Sequence, residues 1–502
     1  MSHLPILPVL LPMFVGALLL LIARSKMVVK RSLSLLATLL QIPLAWALMG
    51  QAGDGISVYA LGNWMPPFGI VLVLDHLSAL LLMVTAVLAS CAVLYALRGD
   101  DGLGRNFHAL FQFQLMGING AFLTGDLFNL FVFFEILLIA SYALLLHGAG
   151  SARVRAGLHY VLLNLFGSAL FLIAVGTLYG LLGTLNMADM AVRVAALEPA
   201  DAPLVGAAGL LLLVVFGLKA AVFPLYFWLP RAYAAASAPV AALFAIMTKV
   251  GIYSIIRVYS LIFGEAAGPL ANLAEAWLWP LALLTLALGA IGALAASTLN
   301  GLIAYLVVVS VGTLLAGVAL GTEDALVATL YYLIHSTWIS GALFLFAGLL
   351  SRARGPRHAG RLVPGPTVPH ALLLSGLFFI AAISVVGMPP LSGFVGKLLL
   401  LQAAGTGLAA FWLYLVVLVG GLQALIGLSR AGSTLFWRQE PEPATGEPLD
   451  AWRMLAVLLL LVSSPLLVIM AGPLLDYLQA TAAQVLAPAH YIEAVMSMGG
   501  EA

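Results

Sequence analysis

The stretch from Phe216 to Tyr253 reads FGLKAAVFPLYFWLPRAYAAASAPVAALFAIMTKVGIY and governs the interpretation of the whole chain. It places two lysines, Lys219 and Lys249, in apolar surroundings typical of membrane-spanning helices, with three prolines between them. A lysine near the middle of a bilayer costs about 2.5–3.5 kcal/mol on insertion scales. Each of these lysines therefore requires a partner, a polar cavity or a function.

The composition indicates that lipid is the main solvent of this fold. Hydrophobic residues make up 63% of the 502 residues and charged residues only 8%, whereas roughly 25% of an ordinary soluble domain is charged. The apolar runs are about as long as the roughly 20 residues that a helix needs to cross a bilayer, and they do not show the short alternation of a membrane barrel. We therefore predict an all-α polytopic membrane protein.

The first apolar run, from Leu4 to Ala23, is predicted to be retained as the first span. Its basic residues follow the run and do not precede it, which is the reverse of a secretory signal peptide. The single cysteine, Cys91, lies within another apolar run, so we expect neither a disulfide framework nor a thiolate metal site.

Clusters of Gly, Pro and charged residues divide the chain into about 14 predicted transmembrane helices. Their approximate limits are 4–23, 32–50, 74–97, 107–124, 127–147, 156–182, 204–223 continued by 226–236, 239–262, 276–297, 300–320, 325–350, 371–387 continued by 391–404, 407–429 and 451–474. The polar, Pro-rich stretches 351–369 and 437–449 are predicted to be loops between them.

The positive-inside rule provides an internal test of this topology. If both termini face outward, 16 of the 21 lysines and arginines fall in cytoplasmic loops. They are Arg24, Lys26, Lys30, Arg31, Arg98, Arg105, Arg153, Arg155, Arg231, Arg352, Arg354, Arg357, Arg361, Arg430, Arg438 and Arg453. This distribution supports 14 spans with both termini on the outer side.

Two spans are predicted to be broken by proline. Pro224 interrupts the seventh span, and Pro389 and Pro390 interrupt the twelfth, because proline lacks a backbone donor and clashes with the preceding turn. Broken helices in corresponding positions point to an internal repeat with ion sites at the breaks. The two breaks are five spans apart, so we predict two five-helix repeats, spans 4–8 and 9–13, which are inverted because five is odd.

The predicted organisation therefore has four parts. Residues 1–106 contain helices 1–3, residues 107–262 the first repeat and residues 276–429 the second repeat. Residues 430–502 contain a cytoplasmic loop, helix 14 and an outer tail.

Five polar residues within the predicted spans form the candidate site. They are Glu135, Lys219, Lys249, His335 and Lys397. Burial favours the neutral form of both a lysine and a glutamate, and a nearby opposite charge restores the charged form. A Glu135–Lys219 ion pair that opens and closes would thus switch a proton on or off, and histidine suits a relay because its unperturbed pKa is about 6.5.

Alternatives to a proton relay remain open at this stage. The buried charges could be structural, although no second or third buried acid is available to pair with Lys249 and Lys397. Asp126 and Asp75 lie at span ends and are interpreted as helix caps, while His108 and His159 lie near cytoplasmic ends, where a role in proton entry is an open alternative. Hydroxyls that could carry water wires are Ser310, Ser336, Thr337, Tyr331 and Tyr332.

Other chemistries lack their sequence motifs. There is no phosphate loop, no dinucleotide fingerprint, no nucleophile elbow and no Cys/His metal set. No basic patch outside the membrane suits a nucleic acid. We therefore expect no cofactor, no metal and no enzymatic catalysis within this chain.

Several long motifs resemble a known family. The runs GDLFNLFVFFEILLIASYALL, PLYFWLPRAYAAASAPVAALFAIMTKVGIY and GMPPLSGFVGK are similar to those of the proton-translocating, antiporter-like subunits shared by respiratory complex I, membrane-bound hydrogenases and Mrp-type cation/proton antiporters. The resemblance covers spans 3 to 13. It implies fourteen helices with inverted repeats and assigns the family's relay positions to Glu135, Lys219, Lys249, His335 and Lys397.

One position departs from the family's pattern, and another favours one branch of the family. Many members carry a lysine five residues after the histidine, where HSTWISGALF has Ser340, which implies that the relay depends more on His335 and water. Arg231 stands where complex I relatives tend to have an aspartate, which favours the Mrp branch, as do the run LYGLLGTLNMADMA and the chain length.

The leading hypothesis is a proton-translocating subunit of a multisubunit Na⁺(K⁺)/H⁺ antiporter in a bacterial inner membrane. Its expected partners are a larger homologous subunit, small membrane subunits and the lipid bilayer. The alternatives are a proton-pumping membrane subunit of a redox complex, and a structural scaffold with inert buried charges.

Overall fold

The computed structural model describes residues 3–23, 25–440 and 446–499. Arg24, part of the predicted loop 437–449 and the end of the predicted outer tail lie outside these residues. α-Helices make up nearly all of the regular structure, which confirms the predicted all-α class.

Twenty α-helices and four short strands are found in the described residues. The helices are α1 Leu7–Leu21, α2 Met27–Gly53, α3 His76–Ala96, α4 Phe107–Leu123, α5 Leu127–Leu145, α6 Ser151–Leu182, α7 Met187–Ala195, α8 Ala202–Ala220, α9 Trp228–Ala235, α10 Ala238–Phe244, α11 Met247–Leu261, α12 Glu275–Ala295, α13 Leu299–Leu320, α14 Glu323–Arg354, α15 Ala371–Val386, α16 Ser392–Ala403, α17 Leu408–Gly432, α18 Ala451–Ile469, α19 Ala471–Leu486 and α20 Pro488–Met496. The strands are β1 Ser57–Ala60, β2 Val71–Leu74, β3 Gly365–Pro366 and β4 Gln439–Glu440.

The helices agree with the predicted spans. Twelve helical segments of the described chain are long and apolar enough to cross a bilayer. The two other predicted spans coincide with α4, which has 17 residues, and with the pair α15 and α16. The protein is therefore a multi-pass membrane protein, while the inverted relation of the two repeats stays a prediction.

Both predicted helix breaks are present. Helix α8 ends at Ala220 and α9 begins at Trp228, with Pro224 between them. Helix α15 ends at Val386 and α16 begins at Ser392, on the two sides of Pro389 and Pro390. Proline explains these breaks, because each ring removes a donor from the helical ladder.

A third break was not predicted from the sequence. Helix α10 ends at Phe244 and α11 begins at Met247, two residues before Lys249. No proline lies at this point, but the hydroxyl of Tyr233 donates a 2.6 Å hydrogen bond to the Phe244 carbonyl. A carbonyl freed from the helix is thus satisfied by a side chain, as buried backbone in a membrane requires.

A buried ion pair fixes the end of the bundle near the β1–β2 hairpin. Asp75 caps α3 in a reciprocal arrangement with Ser78, which confirms its interpretation as a cap. The same carboxylate accepts a 2.5 Å hydrogen bond from Arg257 of α11, and both side chains are at least nine-tenths buried. The Arg257 guanidinium also lies over the rings of Tyr253 and Tyr491, at 5.5 and 5.1 Å from their centroids.

A second charged cluster lies at the opposite end of α3. Asp100 accepts hydrogen bonds from Arg352 at 3.0 Å and Arg453 at 3.2 Å. Asp101 is paired with Arg31 of α2 at 2.6 Å. These contacts join α2, α3, α14 and α18, so ion pairs at both ends of α3 tie distant parts of the sequence together.

Arg257→Gln is expected to destabilise the fold by about 3–5 kcal/mol, because it leaves the Asp75 carboxylate buried without its partner. The matched control is Arg193→Gln, which removes the half-exposed partner of Asp189 and should cost about 0–1 kcal/mol. The single cysteine, Cys91, is 5% exposed, so its reaction with a thiol-reactive dye on heating reports unfolding. Equal unfolding midpoints for the two variants would contradict a stabilising role for the Asp75–Arg257 pair.

Candidate functional site

Glu135 and Lys219 are joined through two side chains of α6. The single proton of the Ser168 hydroxyl has two acceptors within hydrogen-bond distance, Glu135 Oε1 in a short contact and the Asn164 carbonyl at 3.0 Å. Lys219 Nζ lies 3.3 Å from the side-chain oxygen of Asn164 and 3.4 Å from its carbonyl. The acid on α5 and the lysine on α8 therefore share a hydrogen-bonded bridge on the helix between them.

A direct Glu135–Lys219 ion pair is not formed in this structure. Among the described ion pairs, no carboxylate oxygen lies within 4.0 Å of Lys219 Nζ. Glu135 is half-buried, whereas Lys219 is 4% exposed. The carboxylate and the ammonium group are thus separated, and Ser168 and Asn164 lie between them.

The local fold explains how Lys219 is held in this apolar bundle. It lies in the last turn of α8, where the helix dipole favours a positive charge. A β-carbon added to Gly167 would clash with Leu218 and lie 3.8 Å from Lys219 Nζ, so glycine at this position allows α6 and α8 to approach closely. The ring of Phe134 lies 6.0 Å from Nζ and offers a cation–π contact.

Lys249 is fully buried on α11, and its Nζ donates a 3.2 Å hydrogen bond to Ser310 on α13. The Ser310 hydroxyl in turn donates to the Val307 carbonyl at 2.7 Å. The part of the chain that the structure describes provides no carboxylate within 4.0 Å of this ammonium group. Lys249 is therefore a buried cation whose visible partner is a neutral hydroxyl.

Lys219 and Lys249 lie beside a close contact between the backbones of α8 and α11. A β-carbon on Gly251 would lie 2.5 Å from the backbone nitrogen of Ala220, the residue after Lys219. Helices α8 and α11 therefore touch beside both lysines.

His335 is connected to a cluster of three serines. Its Nδ1 lies 2.8 Å from the hydroxyl of Ser392, at the start of α16. That hydroxyl lies 2.8 Å from Ser464 of α18, which lies 2.7 Å from Ser384 of α15. The break between α15 and α16 is thus joined to α14 and α18 by a continuous set of hydroxyls.

Thr313 lies one turn after Ser310 on α13, and its hydroxyl donates a 2.9 Å hydrogen bond to the Val309 carbonyl. On α14 the ring of Tyr332 lies 5.6 Å from the ring of His335. His335 is thus hydrogen-bonded to the serine cluster and packs against Tyr332, and the described residues show no hydrogen bond that joins it to Lys249.

Lys397 has a second, structural role. Its Nζ donates to the carbonyl of Val386 at 2.6 Å and to that of Val385 at 3.3 Å, the last two residues of α15. These carbonyls have no intrahelical partner at a helix end. Lys397 therefore satisfies the free carbonyls at the end of α15, and this helix break is where the sequence predicts an ion site.

The structure assigns the remaining predicted hydroxyls to different tasks. Ser336 and Thr337 both donate to the Leu333 carbonyl within α14, and Tyr331 donates to Leu467, so these hydroxyls are engaged with backbone. Asp126 caps α5 by accepting from the Asn129 amide, which confirms that interpretation. His108 lies away from this series and is paired with Asp101.

Sequence reasoning missed Asn164, Ser168, Ser392 and Ser464. Single serines and asparagines are common in helix packing, so their types alone do not separate these four from other polar residues. Ser392 could have been found from its position in the sequence, because it closely follows the proline break of the twelfth span. The described residues contain no group of three or more His, Cys, Asp or Glu that could hold a metal ion.

Comparison with known proteins places this arrangement in a family. A family model described as NADH:quinone oxidoreductase/Mrp antiporter, TM matches residues 124–426, more than half of the chain. The matched region contains all five residues of the candidate site. The chain belongs to this family of membrane proteins.

Two relatives and one solved structure with high coverage are named as antiporter subunits or as an Mrp complex. The chain is 44% identical to the D subunit of a probable K⁺/H⁺ antiporter from Rhizobium meliloti (strain 1021), covering 99% of this chain and 98% of the relative. It is 39% identical to the D subunit of a Na⁺/H⁺ antiporter from Bacillus subtilis (strain 168), covering 99% and 100%. Its fold matches a chain of the Mrp complex from Dietzia sp. DQ12-45-1b with a TM-score of 0.87 and 29% identity, covering 99% and 100% of the two chains.

Gly393→Ala is expected to disrupt the His335 cluster, because the new methyl group would clash with the Ser384 carbonyl oxygen and lie 2.9 Å from His335 Nε2. Overpacking of this kind costs about 1–3 kcal/mol or more. The control Gly376→Ala lies on α15 with nothing within 4 Å of the added carbon, and it should be neutral or stabilising by up to about 1 kcal/mol. Unfolding midpoints in detergent measure the difference, and a Gly393→Ala midpoint equal to that of Gly376→Ala would show that α16 can move without cost.

Proposed function

We propose that this chain is the proton-translocating subunit of a multisubunit Na⁺(K⁺)/H⁺ antiporter. The observation that carries the proposal is a series of lysines inside an apolar bundle, the buried Lys219 and Lys249 and the partly buried Lys397, whose amide, hydroxyl and carbonyl partners are all neutral. The names of the antiporter relatives support the same function. Those relatives are subunits of secondary transporters, so the proposed activity is transport and not enzymatic catalysis.

The proposed mechanism is the transfer of protons along Glu135, Lys219, Lys249, His335 and Lys397. Ionised groups in a low-dielectric bundle interact strongly, so a proton on one member disfavours a proton on its neighbour. Protons are then expected to occupy the series in turn.

The proposed switch is a change in the distance between Glu135 and Lys219. In the observed arrangement Ser168 and Asn164 hold the two groups apart through hydrogen bonds. Rotation of either side chain away from this bridge would let the carboxylate meet the ammonium group and favour its charged form. The switch thus requires only side-chain movement beside the close α6–α8 contact.

The proposed setting is the bacterial inner membrane, with both termini on the outer side. The distribution of lysine and arginine among the loops supports this orientation. The proposed partners are a larger homologous subunit and small membrane subunits, supported by the likeness to a chain of a multisubunit Mrp complex. Residues 107–262 and 276–429 are proposed to form the two inverted repeats, each with one proline-broken span.

Lys219→Ala is expected to abolish cation/proton exchange while leaving the complex assembled, because it removes a proton-carrying group without burying a new polar one. The measurement is the cation-induced collapse of a pH gradient in inverted membrane vesicles, with Na⁺ and K⁺ tested separately. Lys26→Ala, which removes an exposed lysine outside the spans, is the control and should exchange normally. Intact exchange in Lys219→Ala would overturn the relay.

Ser168→Ala tests the bridge between Glu135 and Lys219. Loss of a hydrogen bond to a charged group is worth about 1.5–3 kcal/mol, so the exchange rate should fall roughly tenfold or more. The pH profile should also change, because the carboxylate loses the donor that holds it apart from the lysine. Ser168→Thr retains the hydroxyl and should restore most of the activity, whereas an unchanged rate and profile in Ser168→Ala would remove Ser168 from the mechanism.

Co-purification with native neighbours separates antiporter from redox function. Antiporter subunits in the isolated complex support the proposal. Subunits carrying iron–sulfur clusters or flavin would identify the chain as a proton-pumping member of a redox complex instead.

A further inference from the structure

A cavity of about 470 Å³ lies between the beginnings of α2 and α4, outside the proposed relay. Its polar side includes Lys30, Arg105 and His108, and its apolar side includes Leu19, Leu20 and Ile22 at the end of α1. A cavity of this size suits a small ligand or a lipid headgroup. Neither the transport hypothesis nor the helix packing gives it a role.

Lys30 is the residue of this cavity whose burial has no structural explanation. The residue is only 8% exposed, yet its ammonium group has no hydrogen-bond or ion-pair partner among the described residues. A lysine commonly lays its carbon chain along apolar surface and keeps its charge in water. At Lys30 nearly the whole residue is enclosed, and the residue lines the cavity.

Two helix N-termini open into the same cavity. Helix α2 begins after Lys26 and α4 begins after Asn106, and neither has a side-chain cap for its free amides. Met27 of α2 and Phe107 and His108 of α4 line the cavity. The first amides of a helix have no intrahelical acceptor and carry partial positive charge, so they attract anions.

The one carboxylate in the cavity is already neutralised. Asp101 accepts hydrogen bonds from Arg31 at 2.6 and 2.9 Å and from His108 at 3.0 Å. Burial alone would raise the pKa of Asp101, but the hydrogen bonds from His108 and Arg31 outweigh it and hold that pKa at about 2. The carboxylate is thus a fully paired anion, and the charge left for a ligand comes from Lys30, Arg105 and the two helix ends.

The apolar side of the cavity indicates where the ligand comes from. Leu20 and Leu21, in the last turn of α1, are 49% and 84% exposed, which is expected of side chains that face lipid. The cavity therefore opens at the edge of the membrane, where a phosphate group and an acyl chain lie close together. Basic pockets at this level between helices are typical sites for anionic lipid headgroups.

We propose that this cavity binds the phosphate group of an anionic phospholipid, with Lys30 and the amides of α2 and α4 on the phosphate and the end of α1 along the acyl chain. The chemistry recognised is a phosphate anion. The lipid source is favoured over free phosphate because Leu19, Leu20 and Ile22 give the cavity an apolar side and the cavity lies at the end of a lipid-facing helix.

The test measures lipid binding to the complex purified with its native neighbouring subunits. Native mass spectrometry follows the binding of phosphatidylglycerol, with phosphatidylethanolamine and inorganic phosphate as separate arms. Lys30→Gln should weaken phosphatidylglycerol binding about tenfold, since a hydrogen bond from a charged group is lost. Lys26→Gln, an exposed lysine at the same helix end that does not line the cavity, should leave binding unchanged.

A second variant keeps the charges and fills the space. Gly102 lines the cavity, and a β-carbon there meets nothing within 4 Å, so Gly102→Trp can occupy the mouth without a clash at its base. It should also weaken lipid binding, while thiol labelling of Cys91 on heating verifies that both variants remain folded.

Three results would overturn the proposal. Equal phosphatidylglycerol binding by wild type and Lys30→Gln would remove Lys30 from the site. Binding of inorganic phosphate with the same Lys30 dependence, without phosphatidylglycerol binding, would identify a free anion as the ligand. A wild-type complex that binds no lipid and loses a neighbouring subunit in Lys30→Gln would show that a protein partner fills the cavity.

Discussion

The constraint on which this structure depends is that lipid cannot satisfy a backbone hydrogen bond, so every helix break must be repaired by the protein itself. At all three breaks a side chain donates a hydrogen bond to a backbone carbonyl. Trp228 donates to the carbonyl of Leu218 near the end of α8, Tyr233 to that of Phe244, and Lys397 to that of Val386. Each interrupted helix is thus completed by a side-chain donor from a nearby segment.

This repair explains why a charged group can occupy the centre of the bundle. Lys219 lies in the last turn of α8, and the ammonium group of Lys397 on α16 reaches the last carbonyls of α15, where the negative end of the helix dipole favours a cation. Lys249 follows the third break and relies on Ser310. The same irregular backbone that costs stability therefore provides polar surroundings for the lysines, which links the shape of the fold to the proposed transport of protons.

Charges that stabilise and charges proposed to act are separated in space. Three buried carboxylates that form ion pairs, Asp75, Asp100 and Asp101, lie at the ends of α3. The lysines in the middle of the bundle have carbonyl, amide or hydroxyl partners. A cation held by a neutral dipole releases its proton with less reorganisation than one held by a buried carboxylate, whose charge would remain uncompensated. The paired ends thus hold the bundle, and the middle contains the groups proposed to exchange protons.

The sequence alone determined the helical class, the helical segments and the two proline breaks, and it singled out the polar residues proposed as the relay, because length, apolarity and proline act locally and buried charge is rare in lipid. Tertiary structure alone decided which groups meet. The break before Lys249 has no proline to signal it and depends on Tyr233. The bridge through Asn164 and Ser168 joins α5, α6 and α8. A contact between helices depends on how the helices pack, and no local sequence pattern records that packing.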